Sequence, residues 1–255
     1  MAKDDTLATP SDIAAAIGLL TRLPVRVDTD RALARGARAA WAWPLAGVVV
    51  NALAALLASL ALAMGLPVAV AALLLVATQI VVTGAMHEDG LADSLDGLWG
   101  GWDRARRLAI MKDSQIGTYG VLGLVLAVLL RGMLWAALLA VTLWPAALAI
   151  GALSRVPMVA LSWAMVPARD GGLSRSVGRP GRATLTLAAA LAMLIGCIAV
   201  GWIALVIAVI LTGVTAAWGL IAKAKIGGQT GDILGASQQW AEIAALACLA
   251  SAVAG

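Results

Sequence analysis

Asp89, Asp93 and Asp96 stand in the run MHEDGLADSLDG (86–97), where four of the chain's 14 acidic residues fall within nine positions. If the run is helical, each residue turns about 100° and rises about 1.5 Å. The three aspartates then lie within about 60° of one another over about 10 Å of axis, while His87 and Glu88 face elsewhere. Like charges stacked on one helix face repel unless a cation neutralises them. Mg²⁺ suits that task, since it commonly takes one or two carboxylates together with substrate phosphates. One or two ions bridged by a diphosphate fit this length better than a closed protein cage. The same pattern also suits a solvated acidic face or carboxylates along an ion pathway. Metal-assisted phosphate chemistry, transport and a purely structural face are therefore all open. His87, the only histidine, is a weak ligand signal alone. A hydrogen-bonded or interfacial ring is its plainer reading. Glu88 is assigned no role, and its replacement by Gln is expected to be nearly silent.

Further along, RARRLAIMKDSQIGTYG (104–120) brings Arg104, Arg106, Arg107 and Lys112 close in sequence to the carboxylates. Such cations suit an anionic substrate, and orientation in a membrane would also place them there. Asp113, Ser114, Gly117 and Gly120 allow close backbone approach to a ligand or form a plain turn. In KAKIGGQTGDILGASQQWAE (223–242), Gly227, Gly228 and Gly231 precede Asp232 and Gly235. Such a loop can cradle phosphate, though singly it is weak evidence. PARDGGLSRSVGRPGR (167–182) carries Arg169, Arg175, Arg179 and Arg182. It reads as orientation charge with some contact to membrane lipid.

The elements that must hold these residues follow from composition. Hydrophobic residues make up 62% and charged residues 13% of the chain, with mean hydropathy +0.96. Soluble domains are nearer half apolar and a quarter charged. The expectation is an all-α polytopic integral membrane protein, a single transmembrane catalytic domain over 1–255. A span needs about 20 apolar residues, which predicts about seven: 41–64, 67–85, 118–140, 142–166, 183–200, 202–221 and 241–254. A short N-terminal interfacial helix is expected over 11–24, capped by Ser11 or Asp12. The polar opening MAKDDTLATPSD leads into no signal-peptide pattern, so no cleaved segment is expected. Cys197 and Cys248 lie in apolar runs and read as packing residues.

Of the 18 basic residues, 16 lie before the first expected span or in the loops after the second, fourth and sixth. The opposite connections, 65–67, 141–145 and 201–202, carry no charge. The positive-inside rule puts the N-terminus, the long loops and all the acids in the cytoplasm. The net charge of +4 is thereby assigned to topology, and no nucleic acid is expected. Arg131 and Arg155 fall inside spans, where each could snorkel, pair with an acid or meet a substrate.

HEDGLADSLDGL, MKDSQIGTYG and GGQTGDILGA, in that order and at similar separations, resemble the three signatures of the cobalamin synthase family, the adenosylcobinamide-GDP ribazoletransferases. TRLP and WPLAGVVV resemble that family's opening, so the resemblance covers nearly the whole chain. It implies a Mg²⁺-dependent enzyme of the bacterial cytoplasmic (inner) membrane with its active site on the cytoplasmic face. A ribose hydroxyl of α-ribazole, or of its 5′-phosphate, would attack the phosphoryl group carried by cobinamide, and GMP would leave. On that basis the expected metal ligands are Asp89, Asp93, Asp96 and Asp232, and the expected catalytic residues are Asp93, Asp96, Lys112 and Asp113. Substrate would meet His87, Arg106, Arg107, Gly117, Gly231 and Asp232. Gln239 departs from the family pattern, which often has a glutamate there, and this weakens a metal role for that corner.

Two alternatives stand beside this. A CDP-alcohol phosphotransferase also carries Asp-Gly-x-x-Ala, but that run continues with Arg where Asp93 stands. A transporter would place its ionisable groups near the middle of spans, whereas here the acids are expected at one boundary. The sequence is compatible with a homo-oligomer without fixing the oligomeric state.

Overall fold

The computed structural model describes residues 6–254. Leucine- and alanine-rich runs form helices because only a helix satisfies every backbone group within one segment in lipid. In chain order they are α1 (Ser11–Leu20), α2 (Thr29–Arg35), a 3-10 segment (Gly36–Ala42), α3 (Trp43–Ala63), α4 (Val68–Thr83), α5 (Met86–Gly100) and α6 (Arg104–Ile110). Then come α7 (Thr118–Leu153), α8 (Val156–Ala164), α9 (Leu173–Val177), α10 (Arg182–Val200), α11 (Ile203–Ile226) and α12 (Gly231–Ala254). This is the expected all-α membrane architecture. Lys3, one of the orientation charges, lies outside the described residues.

By length and apolarity four helical stretches can cross a membrane, or five if the bent pair α4–α5 is one span, against the seven expected. Three places account for the difference. The helix α4 has only 16 residues. The first half of α12 is polar, since it carries Asp232, Ser237, Gln238, Gln239 and Glu242. Residues 118–164 form one apolar helical stretch, yet it does not run straight. Arg131 Nε and Arg155 NH1 both reach the Glu242 carboxylate, at 3.3 and 3.9 Å. In a straight helix those two residues would be about 36 Å apart. The chain therefore folds back at Thr142, whose φ/ψ of −151°/38° is not helical. Pro145, lacking an N–H, comes three residues later. Two limbs result, matching the division expected near 141. The candidate spans are thus α3 with the segment before it, the α7–α8 stretch, α10 and α11, and α5, bent away from α4, is read as lying outside the spans.

The acidic run does not continue α4 as one helix. Gly84 and Ala85 both adopt left-handed backbone, φ +66° and +58°, and α5 leaves α4 at 88°. The side chain of Arg22 lies over Gly84 where a Cβ would sit, so the TRLP segment seats against this bend. Nor is α1 capped by Ser11 or Asp12, since Pro10 holds the cap position. Asp12 is instead buried, pairing with Arg35 Nε at 2.6 Å and accepting from Trp41 Nε1 at 2.7 Å. These bonds outweigh burial and hold its carboxyl below the usual value.

The packing uses small residues, as membrane bundles do. Ala54, Ala58, Ala72, Ala146 and Ala149 are fully buried around Leu75, Trp135 and Ile150. At one point α3 and α7 meet backbone to backbone, with Gly47 and Gly151 each filling the other's Cβ space. A second apolar cluster, with Leu91, Leu98, Met158, Ile226 and Ile233, lies around α5 and the start of α12.

Candidate active site

Glycines set the distance between α5 and α12. A Cβ on Gly90 would lie 2.9 Å from the Asp232 carbonyl oxygen and 3.3 Å from the Gly235 Cα. One on Gly235 would lie 3.4 Å from the His87 Cα. With hydrogens there instead, the two helices touch, and Asp89 and Asp93 of α5 face Asp232 of α12 across the contact. Asp89 is exposed and Asp93 half-buried. Burial first, then repulsion from Asp89, Asp232 and Asp96, pushes the Asp93 carboxyl up to about 7, with Arg169 pulling the other way. Asp232 is largely buried, which raises its pKa against the pull of Arg169 and a hydrogen bond from Thr230 Oγ1.

Asp96 shares the helix face but is turned to a different partner. Its Oδ2 accepts from Gly117 N at 2.7 Å and its Oδ1 from Gly120 N at 2.8 Å. A carboxylate from α5 thus satisfies the free N–H groups that open α7 and sits at the positive end of its dipole. A side chain on either glycine would strike Asp96. The close approach expected of Gly117 is therefore made to Asp96.

Arg169 is the cation that sequence reasoning missed at this site, having been read only as orientation charge. Its NH2 lies 3.1 Å from Asp232 Oδ2, while its NH1 is buried with no partner among the described residues. A short parallel bridge places it. Ala168 N donates to Gln229 O at 2.8 Å and Gln229 N to Val166 O at 2.9 Å. Gly228 makes the bridge possible, because a Cβ there would overlap the Val166 carbonyl. Thr230 then caps α12, its Oγ1 accepting from Ile233 N at 3.3 Å. Of the glycines of GGQTGD, Gly228 is accounted for by the bridge, while Gly231 has open space around it.

The basic cluster on α6 divides. Arg104 Nε donates to Ile226 O at 2.8 Å and its NH2 to Ala168 O at 2.6 Å. Arg107 NH1 donates to Lys225 O at 3.1 Å and its Nε to Gly101 O at 3.0 Å. Both arginines serve carbonyls at the end of α11. Arg106 and Lys112 are exposed. Asp113 closes a turn by accepting from Gln115 N at 3.2 Å. His87 is buried, and neither ring nitrogen has a partner among the described residues. Burial, then the charges of Arg155 and Arg131, pushes its pKa well down, so the ring is neutral. It borders a cavity of ≈ 50 Å³ together with Ser162 and Gly231.

Directly behind the acidic face lies a buried polar network, and it too was missed. Arg131 NH1 donates to Glu88 Oε1 at 2.7 Å and to Gln239 Oε1 at 2.9 Å. Its NH2 donates to Gln79 Oε1 at 2.8 Å. Glu242 accepts from Gln79 Nε2 at 2.9 Å and Gln238 Nε2 at 2.6 Å, and Gln79 Nε2 also reaches Asn51 Oδ1 at 2.9 Å. The network corrects two expectations. Glu242 is buried among these partners, so the acids do not all lie on one exposed face. Glu88 is a buried partner of Arg131, so its replacement is not expected to be silent. Of the fates open to the two arginines, pairing with acids is the one observed. Gln239, where a carboxylate was expected from the resemblance, bridges Arg131 and Glu88 and leaves the two arginines balanced by two acids.

Among the described residues no three Asp, Glu, His or Cys side chains converge tightly enough to hold a metal on protein ligands alone. Fold and site together define a multi-pass, all-α membrane protein with carboxylates and an arginine gathered where two helices touch. The chain belongs to the cobalamin-5-phosphate synthase family, whose profile matches residues 12–250. It is 41% identical to the adenosylcobinamide-GDP ribazoletransferase of Bradyrhizobium diazoefficiens over 92% of each chain. It is 39% identical to that of Allorhizobium ampelinum and 40% identical to that of Brucella anthropi, in both cases over 95% of this chain and 97% of the relative. No solved structure matches it.

Proposed function

We propose that this protein is an adenosylcobinamide-GDP ribazoletransferase. It moves the phosphocobinamide moiety of adenosylcobinamide-GDP to a ribose hydroxyl of α-ribazole or its 5′-phosphate, and GMP is released. The observation that carries the reading is the Gly90–Gly235 contact, which sets Asp89 and Asp93 against Asp232 with Arg169 beside them. Neither alternative is favoured. The relatives are ribazoletransferases, and the charges inside the bundle, which a transporter would use, bond one another.

The donor set fits Mg²⁺. Three oxygen-bearing side chains with one nearby arginine leave an excess of negative charge, which adds to burial in raising the Asp93 pKa. Their failure to close a cage matches an ion that takes one or two carboxylates and completes its shell with phosphate and water. Asp89, Asp93 and Asp232 would hold it, and it would neutralise charge on the diphosphate during transfer. Asp96 fixes the angle of α7 against α5. The spare NH1 of Arg169 donates to a phosphate oxygen and holds the phosphoryl group in line for attack. Arg106 and Lys112, exposed on the segment packed against α5, supply charge for the nucleotide. Basic residues flank this end of the bundle, which supports placing it at the cytoplasmic face of a bacterial inner membrane.

Purified protein given adenosylcobinamide-GDP, α-ribazole and Mg²⁺ should release GMP, stop in EDTA and recover with Mg²⁺. Release undiminished by chelator overturns the metal reading, and no release under any condition overturns the assignment.

A further inference from the structure

A further cavity lies away from the carboxylates. Between α8, α10 and α11 runs a groove of ≈ 570 Å³, walled by Pro157, Leu161, Met193, Leu211 and Ala216. The two hydroxyls along it, Thr212 and Thr215, are taken by their own helix, donating to Ala208 O at 2.8 Å and Leu211 O at 2.6 Å. Nothing inside the groove calls for a polar ligand. Charge appears only at one end, where Lys223 lines it. Arg179 lies against another lining residue, its Nε donating at 2.6 Å to the Trp163 carbonyl. From Ala208 to Lys223 the α11 wall extends about 22 Å, more than half of a hydrocarbon core about 30 Å thick.

The geometry points to an anionic phospholipid as the occupant, one acyl chain in the groove and its phosphate held by Lys223 and Arg179. A slot apolar throughout and cationic at one rim matches an amphiphile with a negative head. Basic pockets between spanning helices at one leaflet bind such head groups. The groove is concave and three-walled, unlike the convex lipid-facing surface of α10 or α11 alone, so one lipid is retained there rather than exchanged freely.

The full-length protein, extracted from bilayers of equal phosphatidylglycerol and phosphatidylcholine, is weighed intact by native mass spectrometry. One phosphatidylglycerol should stay bound per chain, enriched at least tenfold over phosphatidylcholine. Lys223→Glu should bring that preference close to one. Ala216→Trp, which fills the groove from an exposed wall position, should remove the bound lipid altogether. Equal retention of the two lipids by the unaltered protein overturns the proposal. So does undiminished phosphatidylglycerol in Lys223→Glu, a surface change that leaves the core intact and decides the matter even if Ala216→Trp fails to fold.

Discussion

Asp93 is held between the ordinary behaviour of a carboxylate and that of a neutral acid. Its pKa of about 7 against an ordinary 3.8 means that the metal-free folded protein binds a proton there that the unfolded chain has already lost. Stability from this proton is complete below about pH 4 and is lost as pH rises through 7. The thermal midpoint of metal-free protein should therefore fall between pH 5 and 8, and Asp93→Asn should flatten that slope while cutting GMP release by orders of magnitude. If Asp93 holds Mg²⁺ as proposed, proton and cation compete for the same oxygens, and Mg²⁺ affinity measured by titration should rise up to about pH 7 and then level off. Glu88, one residue before Asp89, behaves oppositely. Glu88→Gln removes the acid facing Arg131 and leaves a buried cation less compensated, a loss on the order of 3 kcal/mol. Denaturation in micelles should show that loss, and a midpoint equal to the unaltered protein's would mean that the ion pair contributes nothing.

Between elements, the site depends on how closely α5 approaches α12. Gly90→Ala places a methyl 2.9 Å from the Asp232 carbonyl, so the helices must separate by a few tenths of an ångström or more. Overpacking of this kind costs about 1–3 kcal/mol. On the proposed metal reading Asp89 and Asp93 share a cation with Asp232, so activity should fall further than stability does, with weaker Mg²⁺ binding. An Ala at Gly213, which has open space around it, serves as the control. A Gly90→Ala enzyme with normal Mg²⁺ dependence would detach the contact from the chemistry.

Much of this was legible in the sequence, and the omissions share a cause. The all-helical bundle, the acidic face of α5 and the value of Asp232 came from composition, the 3.6-residue period and the motif order. The bend at Gly84–Ala85 did not, because Ala85 in left-handed backbone has no sequence signature. Arg169 was invisible because a bridge to Gln229, 60 residues away, brings it in. Glu88 and Glu242 were misjudged because a helical wheel says which way a residue points and not what waits there. Asp96 shows the same limit, since it shares the face of its neighbours and yet caps another helix.

For the molecule as a whole, orientation is the testable quantity. With Cys197 and Cys248 replaced, single cysteines at 65–67 or at 201 should react with an impermeant reagent added outside cells. Those at 105 or 176 should react only after permeabilisation. The reverse pattern would invert the topology.

The paired arginines also impose an order in time. Synthesis proceeds from the N-terminus, so when Arg131 enters the bilayer its partner Glu88 has already been made. Arg155 has no such advantage, because Glu242 lies 87 residues further on. At 5–20 residues per second that is a delay of about 4–17 s. Throughout it an unneutralised guanidinium, costing about 3 kcal/mol at the centre of a bilayer, must be sheltered by the insertion machinery or float toward the interface. The last helix made is thus the one that allows an earlier helix to settle. Nascent chains that stop short of Glu242 should be cleared by proteolysis in pulse-chase, while chains released just beyond residue 250 persist.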